Sequence, residues 1–154
     1  IGTLPDSSLK AVRVGAVRRV VCASPGYLAR HGTPMQPADL GQHQCVTFTG
    51  LMTAERWVFQ TDGAEKSVQV RSRLAVNTAE AAIDAAIAGL GLTRVLSYQI
   101  AAAQSSGQLQ TVLQPFEPAA VPVSLLFDGQ SALPLKLRAF LDFAADRLRQ
   151  RLLP

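Results

Sequence analysis

The chain has 154 residues, of which 48% are hydrophobic and 17% charged, and its formal net charge is +4. This composition indicates a globular protein that buries a sizeable core in one domain or two small lobes. The longest apolar run, VPVSLLF at 121–127, is far shorter than the ~20 residues that span a bilayer, which argues against a membrane protein. The basic residues are scattered rather than gathered in a stripe with aromatics, which argues against a nucleic-acid groove within these residues.

The beginning of the sequence predicts a piece of a longer polypeptide. Ile1, Gly2 and Thr3 resemble the end of a strand whose beginning is missing, and there is no initiator Met. No positively charged and then apolar leader marks the chain for export. We therefore expect a cytoplasmic protein.

Residues 18–23 predict a buried strand because they form a short apolar run that contains β-branched residues. Ser24 and Pro25 then predict a helix start, in which the serine accepts from free amides and the proline presets φ. Gly32 is suited to end that short helix. Ser24 lacks the flanking glycines of a nucleophile elbow, so we interpret it as a cap.

The next segment predicts strands and a hairpin. Gln44–Phe48 has an alternating pattern, and 57–60 and 66–70 flank the Gly-containing loop 61–65, which has the length of a hairpin connection. Residues 73–76 predict a further strand.

A helix and a buried strand follow. Asn77 with Glu80 three residues on has the form of a capping box, and residues 79–88 have apolar residues at helical spacing up to Gly89. Leu92–Leu96 predicts a buried strand, so this part has the alternation of strands and helices typical of parallel sheets.

The chain then predicts a second short helix, capped by Ser97 and running to about Ser105, and a strand at 108–113. Three prolines make the following segment a stiff connector: Pro115, Pro118 and Pro122.

The last predicted elements are a strand at 121–127, apolar enough to be covered on both faces, and a long helix that begins at Pro134. One stripe of that helix is expected to pack on a sheet; it contains Leu137, Phe140, Leu141, Ala144, Leu148 and Leu152.

The reactive residue types are few and isolated. Cys22 and Cys45 are too few for a disulfide framework, and we interpret them as small core residues. His31 and His43 follow polar residues, so surface or capping roles are expected rather than metal ligation. We predict no enzymatic activity, no metal and no cofactor, because no nucleophile, base or metal cluster converges in the pattern.

Four segments in order resemble the effector-binding (substrate-binding) domain of LysR-type transcriptional regulators. They are IGTLPDSSL at 1–9, ASPGYLARHGTPMQPADLGQHQC at 23–45, NTAEAAIDAAIAGLGLTRVLSYQIAAAQSSGQLQTVL at 77–113 and PLKLRAFLDF at 134–143. Each segment alone is weak evidence for the family, but four segments in the right order and at the right spacing are specific to it. The match covers nearly the whole chain.

The resemblance implies an α/β, periplasmic-binding-protein-like (type 2) fold of two lobes. Residues 21–111 would form lobe two, residues 12–20 and 112–119 would be the crossing strands, and residues 1–11 with 120–154 would belong to lobe one. Lobe one is expected to be incomplete, because its first half and the winged helix-turn-helix region that binds DNA are not in the sequence.

The family binds a small effector in the cleft between its lobes, and the resemblance implies a site here that contains Thr3, Asn77 and Thr78, with Val95 lining the wall. The ligand is expected to be anionic, because Asn77 and Thr78 lie where a strand ends and a helix begins. From the residues alone, capping explains these two side chains better; the resemblance makes ligand binding an equal alternative.

Three classes of function are open at this point: the ligand-sensing module of a transcription regulator, the solute-binding protein of a transport system, and an enzyme. The resemblance favours the first, and the missing export leader counts against the second. The apolar strand and helix of lobe one also predict self-association, since soluble monomers rarely expose large apolar patches.

Overall fold

The chain divides into two compact units. The computed structural model describes residues 1–2, 8–49, 55–128 and 133–152. Ile1–Val17 and Ala119–Pro154 form unit 1, and Arg18–Pro118 form unit 2. The chain therefore enters unit 2 once and leaves it once.

The described residues form nine strands, four α-helices and three 3-10 turns. The strands are β1 (Leu9–Val17), β2 (Arg19–Ala23), β3 (Gln44–Phe48), β4 (Arg56–Thr61), β5 (Ala64–Gln69), β6 (Arg71–Val76), β7 (Leu92–Leu96), β8 (Gln110–Val112) and β9 (Val121–Asp128). The helices are α1 (Pro25–His31), α2 (Ala79–Ile87), α3 (Ala101–Ser105) and α4 (Leu135–Leu152), and the 3-10 turns are Pro37–Gln42, Ser97–Gln99 and Gln114–Phe116.

Unit 2 is built on a five-stranded mixed sheet with the order β6-β3-β7-β2-β8. Strand β3 runs parallel to β6 and β7, whereas β2 runs antiparallel to β7 and β8. The carboxyl ends of β6, β3 and β7 therefore meet at one side of the sheet, which we call the carboxyl edge.

Each face of this sheet carries its own core because successive side chains of a strand point to opposite faces. Val20 and Val95 pack under α2 and α3 in the helix-side core, and Val21 and Leu92 pack under Trp57 in the hairpin-side core. The two cores hold β7 from both sides.

The predicted hairpin is confirmed. Strands β4 and β5 pair antiparallel with Thr61 opposite Ala64, and the two turn residues Asp62 and Gly63 have φ of 56° and 76°. Positive φ at both positions matches the right-handed twist of the strands. Trp57 is buried between the hairpin and the five-stranded sheet, as expected for a sheet residue.

The predicted strand and helix at the start of unit 2 are also confirmed. The Ser24 hydroxyl accepts from the Tyr27 amide at 3.4 Å, Pro25 is the first helical residue, and Gly32 ends α1 with a φ of 81°.

Two predicted caps are wrong. Thr78, not Asn77, is the N-cap of α2, so the capping box of Asn77 with Glu80 does not form. Ser97 does not begin an α-helix: it opens a 3-10 turn, and α3 starts only at Ala101. Asparagine caps at least as well as threonine by intrinsic preference, so contacts elsewhere in the fold rather than local preference place the cap of α2 at Thr78.

Unit 1 contains the antiparallel pair β1 and β9 with α4 packed against β1. Most of β9 is half-buried and Leu126 is exposed, so the coverage of residues 121–127 on both faces stays a prediction for a more complete lobe one. The stripe of α4 is correct except at Phe140, which is 60% exposed; Leu141 and Ala145 are the buried residues.

Leu113 follows β8 with φ 60° and ψ 24°, in the left-handed region that branched and bulky residues avoid. Its side chain is nevertheless buried in the hairpin-side core. The turn that it starts leads directly into Gln114–Phe116.

Cys22 and Cys45 are buried free thiols, which confirms their place in the core. Burial raises the pKa of each thiol to about 12. None of the helices in the described part of the chain is both long and apolar enough to cross a membrane.

Candidate functional site in unit 2

The carboxyl edge brings the end of β3 next to the beginning of α2. Phe48 pairs with Val76 in register, so the residues that follow the two strands are neighbours. The Thr49 amide and hydroxyl both donate to the Val76 carbonyl, at 2.8 and 3.0 Å. This double contact fixes the backbone immediately before Asn77.

Asn77 and Thr78 are both exposed at this edge. The Thr78 hydroxyl accepts from the Ala81 amide at 3.2 Å, so its oxygen is already used by α2. The Asn77 side chain has no hydrogen-bond partner among the described residues. Of the two, Asn77 therefore has the free amide group and Thr78 holds the helix start in place.

The other two predicted site residues have different positions. Val95 is completely buried in the helix-side core. Its role as a wall residue of the site therefore stays a prediction, and its position favours a packing role in that core. Thr3 lies outside the described residues, and its role also stays a prediction.

A second polar group at the same edge was missed in the sequence. Arg18 precedes β2 and Ser97 follows β7, and each backbone contacts the other residue: the Arg18 amide donates to Ser97 Oγ at 3.2 Å, and the Ser97 amide donates to the Arg18 carbonyl at 2.9 Å. Arg18 Nη1 also pairs with Glu117 Oε2 at 2.9 Å. The only sequence signal for this group is Glu117, an isolated acid between two prolines.

Arg94 is a buried cation in β7 that was not among the predicted site residues. Its side chain is in the hairpin-side layer, with the guanidinium 5.5 Å from the centre of the Trp57 ring and with donors 3.4 and 3.5 Å from the carbonyls of Arg56 and Val58. Its Nε is buried without a partner among the described residues. Burial, and secondarily Arg19, lowers the Arg94 pKa to about 10. An arginine inside the apolar run LTRVL was the available signal.

Of the two roles expected for His43, capping is confirmed and a surface position is wrong: His43 ends the 3-10 turn Pro37–Gln42, and its amide donates to the Leu40 carbonyl at 3.1 Å. His43 is buried, and its Nδ1 shares a hydrogen bond of 3.3 Å with the Tyr27 hydroxyl, which in turn accepts from the Gln44 amide at 3.0 Å. Burial is the main reason why the His43 pKa lies below its usual value, and the nearby His31 adds to the effect. His31 is exposed and stacks on the Tyr27 ring with centroids 4.5 Å apart.

No group of three or more His, Cys, Asp or Glu side chains suited to a metal ion occurs in the part of the chain that the structure describes. The polar groups at the carboxyl edge are amides, hydroxyls and one ion pair. Such groups bind a ligand through hydrogen bonds and charge.

Known proteins resemble the chain in sequence. A probable HTH-type transcriptional regulator LtrA of Klebsiella pneumoniae is 29% identical over 145 residues, which are 92% of this chain and 47% of the relative. The HTH-type transcriptional activator AaeR of Escherichia coli K12 is 28% identical over 146 residues, which are 95% of this chain and 47% of the relative. The chain spans about half the length of the curated relatives that it matches.

Solved structures agree with the sequence matches. The regulatory domain of CrgA, a LysR-type transcriptional regulator from Neisseria meningitidis, has a TM-score of 0.80 and 28% identity over 96% of this chain and 72% of that one. The regulatory domain of AphB from Vibrio vulnificus treated with cumene hydroperoxide has a TM-score of 0.81 and 26% identity, over 92% and 70%. This confirms the α/β, periplasmic-binding-protein-like type 2 fold. The family model of the LysR substrate binding domain matches residues 1–149, and the chain therefore belongs to that family.

Proposed function

We propose that this chain is the ligand-sensing domain of a LysR-type transcription regulator and that it binds a small effector. The observation that carries the proposal is the match of the LysR substrate binding domain over residues 1–149. The curated relatives are named as transcription regulators, so neither the transport alternative nor an enzyme has support from them.

The effector contacts Asn77 and Thr78 at the carboxyl edge. Open α/β sheets bind ligands beyond the carboxyl ends of their strands. The Asn77 side chain has no hydrogen-bond partner among the described residues, and Asn77 directly precedes Thr78, the N-cap of α2, whose first turn contains backbone amides without intrahelical partners. Amide donors and the positive end of a helix both favour a negatively charged ligand. We therefore propose a small carboxylate as the ligand class.

The test is an NMR titration of the 154-residue chain with benzoate and succinate as carboxylate probes and with benzamide as a neutral probe. Binding at the proposed site shifts the backbone amides of Ala79, Glu80 and Ala81 in a saturable way with a carboxylate and leaves them unchanged with benzamide. Thr78→Val weakens the binding by about ten- to a hundred-fold, because one charge-assisted hydrogen bond is worth about 1.5–3 kcal/mol.

Thr78→Ser is the matched control, since it keeps the hydroxyl and the helix cap, and its titration should equal that of the unchanged protein. The remaining amide shifts of Thr78→Val show whether the unit is still folded. The proposal fails if no carboxylate shifts the first amides of α2, or if the shifts persist at the same probe concentrations in folded Thr78→Val.

The remaining properties concern the whole protein and are proposals as well. DNA is contacted by a winged helix-turn-helix region that is not among these 154 residues, in keeping with relatives of about twice the length. The protein acts in the cytoplasm and self-associates. In this chain, the exposed aromatic residues Phe140 and Phe143 of α4 are the surface that supports self-association.

A further inference from the structure

The two connections between the units are close to one ion pair. The chain passes from unit 1 into unit 2 between Val17 and Arg18, and it returns between Pro118 and Ala119. Arg18 is thus the first residue of unit 2, and Glu117 is the last but one. Their side chains form the ion pair of 2.9 Å, although 99 positions separate them in the sequence.

Further contacts hold the backbone of both Arg18 and Glu117 in place. Arg18 is held by the two reciprocal hydrogen bonds with Ser97. The Glu117 amide donates to the Gln114 carbonyl at 3.1 Å and so closes the 3-10 turn, and Pro115 and Pro118 restrict φ on either side. The ion pair therefore links two segments that have little freedom of their own.

The pair differs from an ordinary surface salt bridge. The Glu117 side chain is only 10% exposed, whereas that of Arg18 is 48% exposed. The second carboxylate oxygen, Oε1, is buried with no hydrogen-bond partner among the described residues. A buried carboxylate is costly without a counter-charge, so Glu117 depends on Arg18 far more than Arg18 depends on Glu117.

We infer that Arg18, Ser97 and Glu117 form a hinge brace, a group that ties the two connections together and restrains rearrangement of one unit against the other. A two-unit protein rearranges through the few residues that connect its parts, because those residues absorb the change in φ and ψ. The brace goes beyond the proposed function, since it exists whatever the effector is.

The first measurement is amide exchange in the 154-residue chain. Glu117→Gln keeps the shape of the side chain and removes its charge, and we expect the amides of Arg18 and Ser97 to exchange about fivefold faster, as for the loss of one modest ion pair. Lys66→Met is the matched control, because it removes the exposed ion pair between Lys66 and Asp62 on the hairpin. The control should leave both amides unchanged.

The second measurement reports on the units themselves. Spin labels at Gln104→Cys in α3 and Lys136→Cys in α4 give a distance distribution by pulsed electron paramagnetic resonance; both positions are exposed, and the buried Cys22 and Cys45 are poor labelling sites. Glu117→Gln should broaden the distribution. Added NaCl should broaden that of the unchanged protein, because salt screens the pair, and it should have no further effect on the variant.

If the ion pair only stabilised unit 2, Glu117→Gln would lower the melting temperature without broadening the distance distribution. The inference is overturned if folded Glu117→Gln has the exchange rates and the distance distribution of the unchanged protein. It is also overturned if Lys66→Met broadens the distribution as much. Arg18→Met provides the second variant: it should destabilise unit 2 more than Glu117→Gln does, because it leaves the buried carboxylate without its cation.

Discussion

Gly91, the residue before β7, offers a sharp test of how strands β3 and β7 are held together. A Cβ at this position would collide with the Gln44 carbonyl oxygen, and it would lie 2.8 Å from the carbonyl carbon and 3.3 Å from the Cys45 nitrogen. These are backbone atoms of β3, which pairs with β6 on its other side. The strand therefore cannot yield as a flexible side chain would.

The expected cost of Gly91→Ala follows from this collision. Overpacking in a well-packed site costs about 1–3 kcal/mol, and a backbone obstacle places this case at the upper end. Alanine also restricts the unfolded chain more than glycine does, which stabilises the folded protein by about 0.4–1 kcal/mol. We expect a net loss near 2 kcal/mol, or a melting temperature about 10 °C lower for a unit of about 100 residues.

Thermal and urea unfolding followed by circular dichroism measure this change. Gly26→Ala is the control: a Cβ at Gly26 would meet no atom within 4 Å, and alanine in α1 should raise stability by up to about 1 kcal/mol. If Gly91→Ala unfolds at the same temperature as the unchanged protein, or above Gly26→Ala, the inferred close contact between the strands is wrong.

Three further predictions concern buried charge and exposed apolar surface. Arg94→Met should change the free energy of unfolding by no more than about 1 kcal/mol, because it keeps the packing and removes a buried cation. Arg94→Ala should lower the free energy of unfolding by about 2–4 kcal/mol, because it leaves a cavity. Equal losses for the two variants in urea unfolding would contradict this prediction. Because the His43 pKa is lowered on folding, the unfolded chain binds the proton first, so stability should fall as pH decreases from about 6.5. His43→Asn should flatten that slope between pH 7.5 and 5.5. His31→Gln removes only the smaller of the two causes and should flatten it much less; identical slopes in all three proteins would refute the assignment. Light scattering should find that the 154-residue chain self-associates. Phe143→Ser should shift it toward the monomer, and Met35→Ser, the control at another exposed apolar residue, should leave its association unchanged. A monomer at high concentration with an ordered α4 would rule the interface out.

Local rules predicted those parts of the fold that local chemistry determines. The Ser24 cap, the hairpin around Asp62 and the core positions of the two cysteines all depend on neighbouring residues or on strong apolar preference. The same rules chose Asn77 as the cap of α2, whereas the structure has Thr78. Both can accept from a helix amide, and the contacts of Thr49 with Val76 set where the strand stops.

The errors and omissions arose from contacts between distant parts of the sequence. Phe140 has the right spacing for the stripe of α4, but the position of β1 decides which face is buried. His43 is buried because Tyr27 lies beside it, and Glu117 meets Arg18 across 99 positions. Periodicity contains no information on such pairs. Asn77 and Thr78 were predicted as site residues from the resemblance and from their place between a strand and a helix, whereas the ion pair of Arg18 with Glu117 was found only in the structure.

Leu113 limits how this part of the sequence can vary. Its left-handed backbone costs about 1–2 kcal/mol for a residue with a Cβ, and glycine would remove that cost. Glycine would also give up a buried side chain worth about 1.5–3 kcal/mol, and asparagine would place a polar group in the hairpin-side core. A single substitution that relieves the backbone strain at residue 113 therefore weakens the packing of the core. A substitution that keeps the packing leaves the backbone strain in place. We expect relatives to change residue 113 only together with its neighbours in that core, as a linked set rather than one position at a time.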